Sequence, residues 1–544
     1  MNNKYEAFSR EQLIDKILKL EKERYGLVWE DKEEEVAKRC DSELPLLKED
    51  CTKEIICDST LPYNLIIEGD NYHSLYALSF THKKSIDLIY IDPPYNTGNN
   101  DFRYNDSYVD KADRFRHSKW LSFMSKRLRL AKNLLSNNGL IFISIDENEF
   151  AQLKLLCDSI FTEKNYVVDL IWNSRKSVSN DTIVSLNHNH TLIYAKNIDI
   201  IQHNKVNYRL RGSKEKFSNP DNDPRGEWTA DPFDAPEIRE NLTYIIENPN
   251  TGKKYLPPKG RHWRTTEDEY KKFLADGRII FGKTGKSKPQ LKRFYYEAEK
   301  KGVVSKSIWD DVGTTTNGTQ ELEKILGEKK FNNPKPVSFL LKILELASSK
   351  DSTVLDFFAG SGTTGHAVLA MNRRDGGNRK FILCTNNENN ICTEVTYPRI
   401  KKVTEGYADV SGIPTNLKYY TQTFVPVITS DNDKRKLVNC CTEMLCIAEN
   451  CFELVRNRDC RCDFSIFKNA KKQMVIIYDE DSICDCIAYL NEHKSNNEFV
   501  IYVFSYDHTY ASEDFEELDL EFSVKPIPEA IINVYRKISK MKKK

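Results

Sequence analysis

Short apolar segments recur along the first 200 residues, and a segment with helical spacing follows each of them. Three apolar segments have the length of a buried strand, at residues 63–68, 86–91 and 140–145. Apolar residues three and four positions apart predict helices over residues 71–81, 119–138 and 147–161. Gly139 is expected to end the second of these helices. Strands that alternate with helices favour a parallel sheet with helices on both faces.

This pattern breaks down between about residue 200 and residue 330 and then resumes. Proline, glycine, asparagine and aspartate become frequent there, as in NPDNDPRGEW at residues 219–228, which indicates irregular structure. The pattern returns with a helix at 335–349, a strand at 353–358, a helix at 363–373 and a strand at 380–384. One sheet interrupted by an inserted domain explains this order better than two separate α/β domains, and the second arrangement stays open.

The two ends of the chain carry elements of their own. Residues 1–40 are charged and have helical spacing. After about residue 425, the pattern predicts a small separate domain with a helix near 434–456 and strands at 473–478 and 499–504. No apolar run approaches the roughly 20 residues that span a bilayer, and the N-terminus lacks the apolar core of a signal peptide. We therefore expect a cytoplasmic protein with no membrane partner.

The charge is balanced in total but not along the chain. Lys and Arg number 81, as do Asp and Glu. Residues 251–300 hold 14 Lys or Arg against 6 Asp or Glu, and residues 101–140 hold 9 against 4. Both stretches contain aromatic residues, a mixture that suits contact with phosphates and stacking on bases. A solvated basic face is an equally good explanation of the charge alone.

The 14 cysteines are scattered, and eight of them lie beyond residue 435. This group includes the adjacent Cys440 and Cys441 and the pairs Cys460-x-Cys462 and Cys484-x-Cys486. None of these has the C-x2-C spacing of a zinc site. We therefore expect reduced thiols and no metal.

A glycine-rich turn follows one of the predicted strands. The strand at 353–358 leads into Ala-Gly-Ser-Gly-Thr-Thr, so Asp356, Gly360 and Gly362 fall between a strand and a helix. Glycines at such a turn let the backbone approach a ligand without a clashing side chain. The third glycine of a dinucleotide fingerprint is missing, which argues against NAD. The acidic residue and the strand–turn–helix context together favour a ligand-binding turn.

A second motif, Asp92-Pro93-Pro94-Tyr95, ends the strand at 86–91. In open α/β sheets, ligands bind at the carboxyl ends of the strands. A plain structural turn is the alternative, because Asp and Pro favour turns. A turn requires neither Tyr95 nor the Asn-Thr-Gly-Asn that follows it, and the motif therefore indicates a functional site.

The chemistry of an exocyclic amine gives each residue of this motif a purpose. The lone pair of such an amine is delocalised into the ring, which makes the nitrogen a poor nucleophile. A carboxylate from Asp92 and the carbonyl of Pro93 could accept its two N–H bonds and draw the nitrogen toward a nucleophilic geometry. Pro93 and Pro94 would hold that carbonyl rigidly, and Tyr95 could stack on a base swung out of the duplex.

Asp-Pro-Pro-Tyr together with D-x-F-x-G-x-G resembles the motif pair of the amino-group DNA methyltransferases. The order of the two motifs, at 92 and 356, is similar to the permuted beta class. Longer stretches look like the modification (Mod) subunit of Type III restriction–modification systems, among them NLIIEGDNYHSLYAL, IIFGKTGKSKPQLKRF and EVTYPRIKKV. The resemblance covers roughly residues 60–410. It implies an α/β fold with a permuted Rossmann-like methyltransferase sheet, an inserted target-recognition domain and a small C-terminal α/β domain.

The resemblance also divides the chain into domains. A helical N-terminal region would occupy residues 1–45, and the methyltransferase domain would have a catalytic part at 46–200 and a cofactor-binding part at 331–425. The target-recognition domain would lie between them at 201–330. Residues 426–544 would form a domain for interaction or dimerisation.

S-adenosyl-L-methionine is the cofactor that the resemblance implies. Its pocket would be lined by Asp356, Phe358, Gly360, Gly362 and Thr363. Lys335 and Pro336 match a segment on the cofactor side, and Asp70 matches a position near the methionine end of the cofactor. Many relatives carry an acidic residue at the end of the strand after the glycine-rich helix. Here that strand reads FILCTNNEN, and Glu388 is the nearest candidate to bind the ribose.

The resemblance further implies methylation of adenine N6 in duplex DNA, with the target adenine flipped out. It implies a homodimer that can also bind a separate ATP-dependent restriction (Res) subunit. Two alternatives stay open, a solitary adenine methyltransferase and an inactive DNA-binding scaffold. Cytosine N4, RNA adenine and a protein glutamine amide are further amines with similar chemistry. In the family pattern, Ser in place of Asp92 points to cytosine and Asn to a protein amide, so Asp favours adenine.

Overall fold

The chain folds into two compact units. One contains the residues up to His203 and those from Lys306 onward, and the other is Asn204–Ser305. The computed structural model describes residues 8–22, 27–282, 284–459, 462–493, 495, 497–506, 512–518 and 520–542. Cys460, one of the cysteines considered for zinc, lies outside these residues.

A ten-stranded sheet forms the centre of the first unit. Its strands are β1 (Glu43–Glu49), β2 (Tyr63–Glu68), β3 (Ile86–Ile91), β4 (Leu135–Ile145), β5 (Tyr166–Trp172), β6 (Asn189–Ala195), β7 (Ile308–Trp309), β8 (Thr353–Asp356), β9 (Lys380–Thr385) and β10 (Asn416–Pro426). Their order across the sheet is β1-β10-β2-β9-β8-β3-β4-β6-β5-β7. Neighbours from β10 to β4 are parallel, whereas β1 and β6 run antiparallel to the strands beside them.

The central strands are apolar along nearly their whole length. In β3 and β9, for example, all residues except Asp87 and Lys380 are buried. Strands of this kind need cover on both faces. The helices of the first unit, up to the last strand of this sheet, are α1 (Arg10–Lys22), α2 (Glu35–Arg39), α3 (Asn71–Thr81), α4 (Arg116–Leu134), α5 (Phe150–Phe161), α6 (Ile198–His203), α7 (Thr315–Leu326), α8 (Val337–Ala347), α9 (Thr363–Asp375) and α10 (Tyr397–Glu405). The expected α/β sheet of the Rossmann-like kind is confirmed.

Three predicted elements have other limits. The helix expected at 119–138 ends at Leu134, because Leu135 already pairs with Ile86 in the sheet, and Gly139 lies inside β4. The strand expected at 353–358 ends at Asp356, whose side chain accepts the N–H of Phe358 and turns the chain. The single helix expected near 434–456 is wrong, since two helices and a strand occupy that range.

The C-terminal region is a second sheet rather than a detached domain. Its strands are β11 (Glu453–Arg456), β12 (Phe464–Lys468), β13 (Lys472–Ile477), β14 (Glu498–Phe504) and β15 (Phe522–Ile527), in that order across the sheet. Its helices are α11 (Asp431–Asn439), α12 (Thr442–Glu449), α13 (Ile483–Glu492) and α14 (Glu529–Lys542). Both α12 and α14 pack on α3, so one hydrophobic core continues from the large sheet into this region.

The domain limits at 45 and 425 cut through paired strands. β1 and β10 are antiparallel partners from Glu43 opposite Pro426 to Glu49 opposite Tyr420. The inserted unit also ends earlier than the expected residue 330. Ile308 and Trp309 pair with the end of β5, and α7 packs on α10, which places residues 306–330 in the first unit.

The second unit, Asn204–Ser305, is built from small two- and three-stranded sheets. Its strands are Trp228–Pro232, Asp234–Pro236, Ile246–Glu247, Lys254–Tyr255, Arg261–Trp263, Ile279–Ile280 and Gln290–Phe294, and its α-helices are Glu267–Ala275 and Tyr295–Lys301. A compact aromatic core holds it together, with Phe233, Trp263 and Tyr270 at its centre. Across the described part of both units, no helix is long and apolar enough to cross a membrane.

Candidate active site

The two sequence motifs meet at one edge of the large sheet. β3 and β8 are parallel neighbours, with Val354 opposite Leu88 and Leu355 opposite Ile89. Asp92 follows the last residue of β3, and Asp356 is the last residue of β8. The carboxyl ends of adjacent parallel strands open at the same edge, so the turns after β3 and β8 are neighbours.

Asp92 is held by two side chains. The Tyr95 hydroxyl donates to Oδ1 of Asp92 over 2.8 Å, and Nζ of Lys335 donates to Oδ2 over 2.5 Å. Lys335 Nζ also donates to the Tyr95 oxygen over 3.1 Å. Burial, and after it the charge of Asp92, raises the pKa of the Tyr95 phenol well above its ordinary value. Tyr95 therefore stays neutral and donates its hydroxyl proton to the hydrogen bond with Asp92.

The backbone of this motif is held by a hydrogen bond from α4. The indole Nε1 of Trp120, on α4, donates to the carbonyl of Pro94 over 2.7 Å. The next residue, Asn96, is buried with a positive φ of 58°, a conformation that asparagine tolerates better than most residues. Its amide nitrogen donates to Oε1 of Glu149 over 2.5 Å.

Glu149 is the buried anchor of this loop. The same Oε1 lies 2.7 Å from Nδ1 of His117, so two side chains share one carboxylate oxygen. Glu149 is fully buried, and its burial raises the pKa of the carboxyl. Asn96, His117 and Glu149 thus pin the chain just after Tyr95, and the aromatic ring is presented from a rigid support.

An open cavity of about 730 Å³ adjoins Tyr95 and Lys335. Trp172, at the end of β5, also lines it; the indole packs on Phe339 with ring centroids 4.9 Å apart and donates to the carbonyl of Gly313. Polar groups from Ser174 and Asn189 share the lining. A cavity with aromatic walls and a few polar groups beside a fixed carboxylate can hold a planar heterocycle with an amino group.

Asp356 has a different environment from Asp92. It is buried, and its two oxygens accept hydrogen bonds from the backbone N–H of Phe358 over 3.0 Å and from the Thr364 hydroxyl over 2.5 Å. Burial raises the pKa of its carboxyl to about 7. Both bonds stay within the turn, so this side chain shapes the glycine-rich loop. Its predicted contact with the cofactor stays a prediction.

The glycines of the turn could not be replaced without strain. Gly360 and Gly362 have φ values of 47° and 74°, in the left-handed region. A Cβ on Gly360 would lie 3.1 Å from the ring of Phe331, and one on Gly362 would lie 3.2 Å from the methyl group of Thr396. The turn therefore leaves room for backbone alone, which is the condition for a ligand to approach it closely.

Two residues of the EVTYPRIKKV segment hold this turn in place. The Thr396 hydroxyl donates to the carbonyl of Gly360 over 2.6 Å. The fully buried Arg399 donates to the carbonyl of Ser361 over 3.2 Å and to the hydroxyl of Thr363 over 2.7 Å. Burial lowers the pKa of Arg399 to about 10, so the guanidinium remains charged at neutral pH.

Asp70 lies close to the glycine-rich turn through its neighbour Asn71. Asp70 caps α3 by accepting the N–H of Tyr72 over 2.7 Å. The Asn71 amide donates to the carbonyl of Phe357 over 3.0 Å. Arg127, fully buried on α4, donates to Asn71 over 2.5 Å and forms an ion pair with Asp70 at 3.5 Å.

The other residues predicted to bind the cofactor do not all lie at the glycine-rich turn. Lys335 is bonded to the catalytic motif, and Pro336 occupies the cap position before α8. Glu388 lies in the turn after β9 and forms an ion pair with Arg103 at 3.5 Å. The roles in cofactor binding predicted for Asp70, Lys335, Pro336, Phe358, Thr363 and Glu388 remain predictions.

Sequence reasoning missed most of the supporting residues. Trp120, Glu149 and Arg127 come from helices or turns far from the motifs, and their patterns read as ordinary amphipathic structure. The one signal was the family resemblance: Trp120, Arg127 and Glu149 lie in the resembling stretch KWLSFMSKRLRLAKNLLSNNGLIFISIDENE, and Thr396 and Arg399 lie in EVTYPRIKKV.

These groups fit S-adenosyl-L-methionine. The glycine-rich turn offers backbone without side chains, the half-buried Phe358 offers an apolar surface, and Asp70 and Glu388 offer carboxylates at the same end of the sheet. An adenosine joined to an amino acid requires this combination of apolar contact, backbone N–H groups and acceptors.

The chain is similar in sequence to several known proteins. The chain is 38% identical over 366 residues to the Type III restriction-modification enzyme StyLTI Mod subunit of Salmonella typhimurium, covering 62% of this chain and 54% of that protein. It is 32% identical to the EcoPI Mod subunit of Escherichia phage P1, with coverages of 70% and 67%. The Type II methyltransferase M.KpnI of Klebsiella pneumoniae is 31% identical, with coverages of 65% and 87%.

The first two of these relatives confirm the resemblance to Type III modification subunits. A family model described as DNA methylase matches residues 86–397, a range that contains both motifs and more than half of the 544 residues. The chain belongs to the DNA methylase family.

Proposed function

We propose that this chain transfers a methyl group from S-adenosyl-L-methionine to N6 of adenine in duplex DNA, as the modification subunit of a Type III restriction–modification system. One observation carries the proposal. Tyr95, whose hydroxyl donates to the Asp92 carboxylate, lines a cavity of about 730 Å³ at the same sheet edge as the glycine-rich turn. A methyl acceptor and a methyl donor could meet at this edge.

Each residue of the catalytic motif has a task in this reaction. Asp92 accepts one N–H of the adenine amine and the Pro93 carbonyl accepts the other, so that the nitrogen lone pair becomes available. Trp120 holds the following carbonyl, which fixes the peptide geometry around Pro93. Tyr95 stacks on the flipped base. The cofactor, when bound, supplies an electrophilic methyl group on its sulfonium.

Adenine is favoured over cytosine by the first residue of the motif. A carboxylate is a stronger acceptor for an N–H than a hydroxyl, and hydrogen bonds from Lys335 and Tyr95 hold the Asp92 carboxylate in one orientation. An inactive scaffold would need neither this arrangement nor a turn that only glycine fits. We therefore set the scaffold alternative behind the enzyme.

The direct test is to incubate the purified chain with labelled S-adenosyl-L-methionine and random-sequence duplex DNA. Digestion of the DNA to nucleosides and mass spectrometry should show N6-methyladenine. N4-methylcytosine alone would overturn the choice of base. Absence of any methylated nucleoside, with cofactor binding intact, would favour the scaffold.

The second unit is the proposed target-recognition domain. Residues 204–305 contain 22 Lys or Arg and 15 Asp or Glu, so this unit has a net charge of +7 in a chain whose total is zero. Positive charge and aromatic residues suit contact with the DNA backbone. Exchange of this unit for that of a relative should change the methylated sequence. An unchanged sequence after a well-folded exchange would refute the assignment.

The Type III role rests on the relatives. StyLTI and EcoPI are named Mod subunits of Type III enzymes, whereas M.KpnI is named a Type II methyltransferase, which keeps the solitary enzyme as the second candidate. We propose a homodimer that can bind a separate Res subunit. Light scattering of the full-length chain, with and without DNA, should give twice the mass of 63.2 kDa. A monomer at micromolar concentration in both conditions would contradict the dimer.

A further inference from the structure

The geometry points to Lys335 as a positioning residue for methyl transfer: it holds the Asp92 carboxylate in place and neutralises its charge, and it does not contact the cofactor. This inference rests on the proposed function. It differs from the role that the family resemblance implies, which places Lys335 on the cofactor side.

The ammonium of Lys335 is directed at the catalytic motif over a sequence distance of 243 residues. Only 9% of its side chain is exposed. Nζ lies 2.5 Å from Oδ2 of Asp92 and 3.1 Å from the Tyr95 oxygen. The rings of Tyr95 and Trp172 are 5.3 and 5.8 Å from it, close enough for favourable cation–π contact. A buried ammonium group is costly unless it has hydrogen-bond acceptors and an opposite charge nearby, and Lys335 has both.

The backbone that carries Lys335 is itself fixed. Pro334 and Pro336 flank it and restrict its conformation. The segment is packed tightly against Gly318 of α7, where an added Cβ would lie within 2.9 Å of Pro336 N. The N–H of Val337 is accepted by Glu321 of the same helix over 2.9 Å. Contacts with α7 and the start of α8 thus fix the position of the Lys335 ammonium. The ammonium in turn fixes the position of the Asp92 carboxylate.

The charge of Lys335 balances two carboxylates that lie near each other. The negative charge of Asp92 helps to raise the pKa of Asp356, and the positive charge of Lys335 opposes that effect. Without the ammonium, Oδ2 of Asp92 would lose its partner and the carboxylate could rotate away from the position that receives the amine. The amine would then be held by the Pro93 carbonyl alone, and its lone pair would stay in the ring.

The two roles predict opposite results for the variant Lys335→Met. As a positioning residue, Lys335 acts on the chemical step. We expect the single-turnover rate of methylation to fall at least 100-fold, while the Kd for S-adenosyl-L-methionine measured by calorimetry stays within threefold. Fluorescence of 2-aminopurine at the target position should still rise on binding, because the base can still leave the duplex. Lys335→Arg, which keeps the charge, should recover at least tenfold of the lost rate.

Lys342→Met is the matched control. Lys342 lies within α8, forms an ion pair with Asp311 at 2.5 Å, and has its ammonium 4.6 Å from the ring of Trp309. It has the same kind of partners as Lys335 and no contact with the motif. We expect no change in rate for this variant.

The outcomes separate the hypotheses. A Kd that weakens in parallel with the rate in Lys335→Met would make Lys335 a cofactor contact and overturn the inference. An unchanged rate would overturn it as well. If the wild-type chain methylates no adenine, the proposed function fails first, independently of any variant.

A second inference comes from the loop between β5 and β6. We propose that its tip enters duplex DNA beside the flipped base. Val178, Ile183, Val184 and Leu186 are all exposed, and Ile183 is wholly so. Four large apolar side chains exposed to water within nine residues are unfavourable for a surface loop. Groups of exposed apolar side chains often mark surfaces that bind a partner.

The two ends of this loop, where it joins β5 and β6, are held together by hydrogen bonds and border the active site. The Asn187 amide donates to the carbonyls of Arg175 and Ser177 over 2.9 and 2.8 Å. Ser174, Arg175, Ser177 and Leu186 line the same cavity as Tyr95 and Lys335. A base that leaves the duplex for this cavity leaves a gap next to the loop, which apolar side chains can fill. Arg175 and Lys176 supply positive charge toward the phosphates.

The double variant Ile183→Ser, Val184→Ser tests this contact. We expect methylation of an ordinary duplex to slow at least tenfold, because the gap is no longer filled. On a duplex with an abasic site opposite the target, where flipping is easier, the loss should be less than twofold. Ile56→Ser, another exposed apolar residue outside the cavity lining, is the control. Equal losses on both duplexes, or none on either, would refute the proposal.

Discussion

The turns after β3 and β8 begin with the same residue at neighbouring places in the sheet, yet the two aspartates have different surroundings. Asp92 is 29% exposed and is held by Tyr95 and by Lys335 from a distant segment. Asp356 is 2% exposed and bonds only within its own turn to Phe358 and Thr364. Both partners of Asp92 line a cavity, whereas both partners of Asp356 belong to the loop and helix that directly follow it. Environment, and not residue type, separates the chemical role from the structural one.

The largest effect should come from Asp92→Ala. Loss of the carboxylate removes the acceptor for the amine, and we expect the methylation rate to fall by at least about 1,000-fold, in the range seen when essential polar groups of a site are removed. Cofactor affinity should stay within threefold, because the glycine turn does not depend on Asp92. Calorimetry and single-turnover kinetics give both numbers. Near-normal activity of a folded Asp92→Ala protein would refute its catalytic role.

Gly360→Val should have the next largest effect, and we expect it to act on cofactor binding. Valine at a φ of 47° is strained, and its Cβ would press on Phe331 at 3.1 Å. We expect the affinity for S-adenosyl-L-methionine to fall at least 100-fold, measured by calorimetry. Gly327→Val is a good control, since Gly327 has a φ of 90° but nothing within 4 Å of an added Cβ. If both variants bind the cofactor normally, the turn is not the pocket.

Asp356 should make the stability of the fold depend on pH. Its pKa of about 7 in the folded chain lies above the ordinary value of 3.8. The folded state therefore binds the proton more tightly, and stability is highest at low pH and falls as the pH rises toward 7. Between pH 5 and pH 8 this group should lower the free energy of unfolding by about 3 kcal/mol. Urea unfolding of the wild type and of Asp356→Asn should show this difference, since the amide does not titrate. Identical pH profiles would contradict it.

The smallest effect is expected from Thr396→Val. This change removes the hydrogen bond to the Gly360 carbonyl and nearly keeps the volume. The cost should be about 1 kcal/mol of stability and a few-fold weaker cofactor binding. Thermal unfolding and calorimetry measure both. A loss as large as that of Gly360→Val would mean that Thr396 contacts the ligand itself.

Much of the catalytic sheet could be predicted because its strands are short apolar runs that end in motifs. The runs at 63–68 and 86–91 are strands over the same residues in the structure. The motifs at Asp92 and Gly360 could be placed at one edge because parallel strands share their carboxyl ends. The lengths of the apolar runs and the shared carboxyl edge of parallel strands were sufficient to predict these strands and the meeting of the two motifs.

The rest depends on contacts that no local pattern encodes. The bond from Lys335 to Asp92 joins residues 243 positions apart in the chain, and Glu149, which supports Asn96, follows a different strand. The limit of the inserted unit at Ser305 is set by only two residues, Ile308 and Trp309, which pair with β5. A two-residue strand has no hydrophobic period to detect.

The shared core on α3 has a consequence for incomplete chains. Tyr535 of α14 lies with its ring centroid 4.8 Å from that of Tyr76 and donates to the Pro45 carbonyl over 2.8 Å. A premature stop codon between residues 426 and 441 would remove both α12 and α14 and leave that face of α3 bare. We expect its product to be an aggregation-prone chain that cellular proteases remove, and not a smaller methyltransferase. Truncated alleles would then be null, and a cell would gain no unregulated methylation from them.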